Sequence, residues 1–135
     1  MYKRQKSSNP VKRFVTAEYD FALDGGTAGS ITPKMTSFIP GGSIVTDCVL
    51  HVKDAVTSGG SATVKIVAGG RDLTAAIGKA TLVKNYVSNE AFASSATAVK
   101  ASEAGAEIKI TVATADLTAG VIKITIGYLD GEHIA

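Results

Sequence analysis

The chain has no tryptophan, one cysteine, two histidines and three prolines among its 135 residues. A single cysteine, Cys48, cannot form an internal disulfide, so the fold is not a small scaffold held by bridges. The histidines, His51 and His133, stand far apart and no cysteine cluster accompanies them, which excludes the usual zinc spacings. Aromatic residues make up 6% of the chain, a poor supply of ring faces for stacking on sugars or bases. Charged residues make up only 19% against 45% hydrophobic, values of a folded body rather than a disordered one. No stretch approaches the roughly 18 apolar residues of a membrane-spanning helix. The basic start MYKRQKSSNPVKRF is followed by no apolar signal core. These absences give the expectation of a soluble single-domain protein of a reducing compartment, with no membrane partner.

Catalytic signatures are missing as well. Cys48 and His51 would point to opposite faces of an extended strand, so they do not make a thiol–base pair, and Cys48 reads as a small core residue. No nucleophile elbow occurs. Four glycine pairs, Gly25-Gly26, Gly41-Gly42, Gly59-Gly60 and Gly69-Gly70, lie between strand-like runs. Their spacing matches neither a P-loop nor a dinucleotide-binding turn, and they read as corners supplying positive φ. Asp24 beside two glycines reads as a turn rather than a calcium corner. No catalytic, metal or cofactor residues are assigned, and the expectation is a chain that is not an enzyme and needs no cofactor.

What the sequence does have is alternation. In RFVTAEYDFALDGG, Val15, Ala17, Tyr19 and Phe21 oppose Thr16, Glu18 and Asp20, a half-buried strand. SIVTDCVLHVKDAV puts Ile44, Cys48, Leu50, Val52 and Val56 on one face and Asp47, His51 and Lys53 on the other. SATVKIVA follows with Ala62, Val64 and Ile66 inward. The Gly59-Gly60 corner between these two runs predicts a hairpin. Burying a Val or Ile is worth about 1.5–3 kcal/mol and a cross-strand charge pair roughly 0.2–1 kcal/mol. The favoured register therefore sets Val52 opposite Ile66 and Val56 opposite Ala62, across a three-residue loop with a left-handed glycine.

Pro40-Gly41 is placed for a type II turn. DLTAAIGKATL has Leu73, Ala76, Ile77 and Ala80 at helical spacing behind a capping Asp72, weakened by Gly78. One short strand is expected around residues 97–101. EIKITVATA and VIKITIGYL, joined by DLTAG, predict a closing antiparallel hairpin with Ile108, Ile110, Ile122, Ile124 and Ile126 inward. Short strands at this spacing indicate an all-β chain, an antiparallel β-sandwich of jelly-roll type.

The charge is unevenly placed. Of the 14 basic residues, Lys3, Arg4, Lys6, Lys12 and Arg13 fall in residues 1–13 with no acid, leaving nine basic against 12 acidic side chains in the remainder. The division is a basic arm over residues 1–13, a sandwich domain over 14–130 and a tail over 131–135. The arm is an interaction signal, or a solvated tail, and its candidate contacts are Tyr2, Lys3, Arg4, Lys6, Val11, Lys12 and Arg13. Tyr2 is its only aromatic, so specific nucleic-acid recognition is not expected.

The order VTAEYDFALDGG, IPGGSIVTDCVLHVKDAVTSGGSATVKI, ATADLTAGVIKITIGYL resembles a group of small virion structural proteins of tailed bacteriophages. In that group a YDF…DGG opening, an IP…IV turn, a TSGGSAT hairpin and a late LTAG hairpin recur in this order. The resemblance spans most of residues 14–129. It implies a non-enzymatic capsid decoration (cement) protein on the outer surface of the virion, made in the host cytoplasm. The implied partner is the major capsid protein, and the implied assembly is a homo-oligomer, commonly a trimer. A tail, neck or head-fibre component and a carbohydrate-binding surface module are the alternatives.

Overall fold

The computed structural model describes residues 12–68, 71–89, 99–100 and 106–129. β1 (Lys12–Asp20) runs into a single helical turn, α1 (Phe21–Asp24). Then follow β2 (Gly29–Ile31), β3 (Phe38–Ile39), the long β4 (Ile44–Ser58) and β5 (Thr63–Ala68). The short β6 (Arg71–Asp72), β7 (Ile77–Gly78), β8 (Val87–Asn89) and β9 (Val99–Lys100) lead to β10 (Ala106–Ala113) and β11 (Leu117–Leu129).

The first sheet has the order β1-β11-β4-β8, with β9 also on β4; the second has the order β2-β10-β5-β6, with β3 on β10 and β7 on β5. Every pairing is antiparallel. Taking β2 with β3, β6 with β7 and β8 with β9 as interrupted single strands, the chain makes eight positions wound between two four-stranded sheets. This is a jelly roll, as the alternating runs imply. The interrupted strand at residues 99–100 lies within the range expected from sequence.

The faces follow the alternation and the neighbours do not. Cys48, Leu50, Val52, Ile66, Ile108, Ile110, Ile122, Ile124 and Ile126 are all at most 1% exposed, and they fill the space between the sheets. The hairpin between β4 and β5 does not form. Val52 lies opposite Ile122 and Leu50 opposite Ile124 in the first sheet, whereas Ile66 lies opposite Ile110 in the second. The expected closing hairpin is likewise absent, because β10 pairs with β5 and β11 with β4. Residues 59–62 and 114–116 are arches that carry the chain from one sheet to the other.

Strand length explains the choice. β4 has 15 residues and β11 has 13, while β5 has six and β10 eight. Pairing long with long and short with short satisfies more backbone groups than either hairpin would. Side-chain alternation is unchanged by the swap, so the inward face is the same in both arrangements.

The two arches pack against each other, and this gives Gly60 its role. Neither Gly59 nor Gly60 is among the positive-φ residues, contrary to the left-handed corner expected. A Cβ on Gly60 would sit 2.9 Å from the Ala115 Cβ. The glycine is there for close approach of two crossings. Ser58 Oγ ties the same corner, donating to Asp116 O at 2.7 Å and accepting from Gly60 N at 3.1 Å.

Two further expectations are corrected. The turn after Ile39 is shifted by one residue: Ser43 N donates to Pro40 O at 3.2 Å, and Gly42 carries the positive φ of 79°. Residues 72–82 are not helical. Leu73 N donates to Ile66 O at 2.7 Å, Ile66 N to the buried Thr74 Oγ1 at 3.2 Å, and Ile77 pairs with Val64. The backbone groups a helix would use are spent on the edge of the second sheet. Leu73 and Ile77 reach the core as two separate edge contacts, while Ala76 and Ala80 are exposed.

The sandwich manages its edges. Among the described residues, three of its four sheet borders are strands of two or three residues. The fourth, β1, is bridged where Glu18 N donates to Met35 O at 2.8 Å. Short or bridged edges resist sheet extension by other chains.

Candidate interaction surface

Among the described residues no group of three or more His, Cys, Asp and Glu side chains could hold a metal ion. Cys48 is fully buried and carries no disulfide, and it lies opposite Ile126 on the inner face. His51 is half-buried on the outer face, opposite Lys123 and Val87. The pair is split across the sheet, as strand geometry requires. Cys48 is therefore expected to resist thiol reagents in the native protein and to react after denaturation. Rapid reaction of the native chain would contradict its place in the core.

The ALDGGT corner is a backbone organiser. Asp24 accepts from Asp20 N at 2.9 Å through one carboxylate oxygen and from Lys34 N at 2.8 Å through the other. Tyr19, fully buried, donates its hydroxyl to Gly25 O at 2.5 Å. Burial first, then the nearby Asp24 and Asp20 charges, push its phenol up to about 12 from 10.0. A raised folded-state value stabilises the fold fully below the unfolded phenol pKa and loses that contribution as pH climbs through the folded one. Unfolding midpoints in urea should fall between about pH 10 and pH 12. Tyr19→Phe should flatten that fall while lowering stability near neutrality by about 1 kcal/mol for the lost hydrogen bond. An unchanged alkaline profile in the variant would remove Tyr19 as the cause.

Of the arm contacts expected from sequence, Tyr2, Lys3, Arg4, Lys6 and Val11 lie outside the described residues. So does the 131–135 tail with His133. Lys12 and Arg13 are the first two residues of β1, opposite Leu129 and Tyr128 of β11. Leu129 in turn lies opposite Ile44, and Ile44 opposite Lys100. Lys12, Leu129, Ile44 and Lys100 therefore lie side by side at one end of the first sheet, the end opposite the two arches.

The two outer faces differ in character. Across the first sheet one row reads Met35, Glu18, Lys123, His51, Val87, with Lys53 Nζ 3.2 Å from Glu18 Oε1. Met35 and Val87 at the ends of that row are 46% and 63% exposed, and Phe14, two rows away on the same face, is 58% exposed. The second sheet's face is set with Lys65, Lys109, Glu107, Asp72 and threonines, Lys65 Nζ lying 3.0 Å from Asp72 Oδ2. Among the described residues its one large exposed apolar side chain is Phe38, opposite Glu107. Sequence reading passed over both phenylalanines, although each had a signal. Phe14 shares parity with Thr16 and Glu18, and of the neighbours Phe38 and Ile39 only one can face the core of an extended segment.

No family model matches the chain, and no curated protein matches it by sequence. Its fold does recur in solved structures. A chain in the acidic stable capsid structure of Helicobacter pylori bacteriophage KHP30 is similar with a TM-score of 0.59 and 12% identity, over 90% of this chain and 89% of that one. A chain in the cyanophage Pam1 capsid asymmetric unit gives 0.58 and 18%, over 96% and 91%. A chain in the capsid of Ralstonia phage GP4 gives 0.57 and 18%, over 87% and 84%. At these identities the likeness is one of fold. It runs nearly end to end in both directions, so each of those capsid chains is close to this one in size.

Proposed function

We propose that the chain is a virion structural protein of a tailed bacteriophage, a decoration (cement) protein that binds the outer surface of the major capsid protein shell and stabilises it. The observation that carries this reading is the near-complete, reciprocal likeness of fold to similarly sized chains in three phage capsids. The order of motifs in residues 14–129 supports it independently. Short and bridged sheet edges favour association through surfaces and the arm over sheet extension.

In this reading the basic arm residues Tyr2, Lys3, Arg4, Lys6 and Val11 order on an acidic surface of the shell, and Lys12 and Arg13 add to the contact from the start of β1. The test is stoichiometry in purified virions of the phage that encodes the chain. Copies in a fixed integer ratio to the major capsid protein support decoration. A copy number matching one ring at a single vertex overturns it in favour of a neck or tail component.

A further inference from the structure

The second sheet carries an exposed aromatic at one corner and an unfilled groove at the opposite corner. Phe38 is 59% exposed and stands opposite Glu107 at the start of β10, while its neighbour Ile39 is fully buried. Near the other end of β10, Thr63 lies opposite Ala113 and Gly78 opposite Thr63. There a groove of about 280 Å³, open to solvent, is lined by Ser61, Ala62, Thr63, Gly78, Lys79 and Ala80. Apart from Lys79 its walls are small side chains or none, so nothing large from its own chain occupies it. Along a strand, the step from Glu107 to Ala113 covers roughly 20 Å. Phe38 cannot reach the groove of its own chain.

We infer that Phe38 of one copy seats in this groove of a second copy. The charges beside the two features are complementary. Glu107 flanks Phe38 and makes no ion pair among the described residues. Lys79 lines the groove, and its ammonium spends one hydrogen on Ser58 O at 2.8 Å, leaving two for a further acceptor. Seating the ring brings Glu107 of one copy to Lys79 of the next. The contact joins unlike patches and each copy offers both, so it can pair two copies reciprocally or repeat head to tail into a ring where the rotation between copies closes. The inference concerns the isolated chain and does not depend on capsid binding.

The test is the mass of the purified full chain by sedimentation equilibrium across a concentration series. A discrete oligomer is expected, with the association constant falling at least tenfold in Phe38→Asp. Gly78→Leu should do the same by filling the groove, since a Cβ there meets nothing within 4 Å. Glu107→Lys and Lys79→Glu should each weaken association, and the double variant should restore it. Phe14→Asp, which removes an equally exposed ring on the other sheet, should leave the mass unchanged. Circular dichroism identifies any variant that fails to fold, and the groove and charge variants decide the matter if Phe38→Asp is one of them. A wild-type monomer at all concentrations overturns the inference. So does an oligomer indifferent to Gly78→Leu and to the charge exchange, or one dissociated equally by Phe14→Asp.

Discussion

Gly26→Ala is expected to lower stability by about 3 kcal/mol, at the upper end of the usual cost of overpacking, or to prevent folding. Gly26 is buried where the chain leaving α1 crosses the start of β11. Leu117 N donates to Gly26 O at 2.7 Å, which holds the two backbones together. A Cβ on Gly26 would press on the Leu117 carbonyl oxygen and stand 2.9 Å from both the Leu117 carbonyl carbon and its Cβ. Neither side yields easily. Leu117 is 3% exposed, and the arch before it is tied to the same corner by Ala28 N donating to Asp116 Oδ1 at 2.8 Å. Relief requires the hydrogen bond to lengthen and the first sheet to shift against the corner. For a chain of this size the thermal midpoint should fall by roughly 10 °C. Gly59→Ala is the control: its Cβ meets nothing within 4 Å, so it should stay within about 0.5 kcal/mol of wild type. A Gly26→Ala protein as stable as Gly59→Ala would contradict the close crossing.

Deleting residues 1–11 is expected to leave the body as stable as the full chain while weakening its binding to shells by tenfold or more. The cut belongs after Val11, not after Arg13, because Lys12 and Arg13 pair with Leu129 and Tyr128 and their removal would shorten the β1–β11 ladder. The deletion takes away Lys3, Arg4, Lys6, Tyr2 and Val11 together. Ordering each arm residue costs about 1–2 kcal/mol of backbone entropy, so ion pairs alone do not hold it, and the two apolar side chains must bury surface. Display from several linked copies multiplies a weak arm contact by orders of magnitude, which is why the loss is large. Binding of the intact protein should fall as salt rises, since exposed charges are screened over about 8 Å at physiological ionic strength. The truncated protein should show a flatter salt dependence. Equal decoration by both proteins in a co-sedimentation assay would reduce the arm to a solvated tail.

The residues show why some of this architecture was legible and some was not. Alternation at Ile108 and Ile110, and at Ile122, Ile124 and Ile126, reports which face is buried, and the buried face survives any choice of neighbour. It does not report which strand lies alongside. Local economy favours hairpins at TSGGSAT and at DLTAG, but the jelly roll sends the chain across the core at both places; unequal runs hint at it only at the first, since EIKITVATA and VIKITIGYL are equally long. Leu73 and Ile77 show the same ambiguity, since a spacing of four fits one helical face or two edge contacts. The surface was the least legible. Phe38 and the Gly78 groove acquire meaning only once β3 and β7 are placed at opposite corners of one sheet.

A reconstruction of the virion by electron cryomicroscopy tests whether this chain coats a phage shell from outside, as we propose. Density for the jelly roll is expected at repeated positions across the outer capsid surface, with residues 1–11 traced along the major capsid protein. Density confined to the neck or tail, or none on the particle, would contradict it.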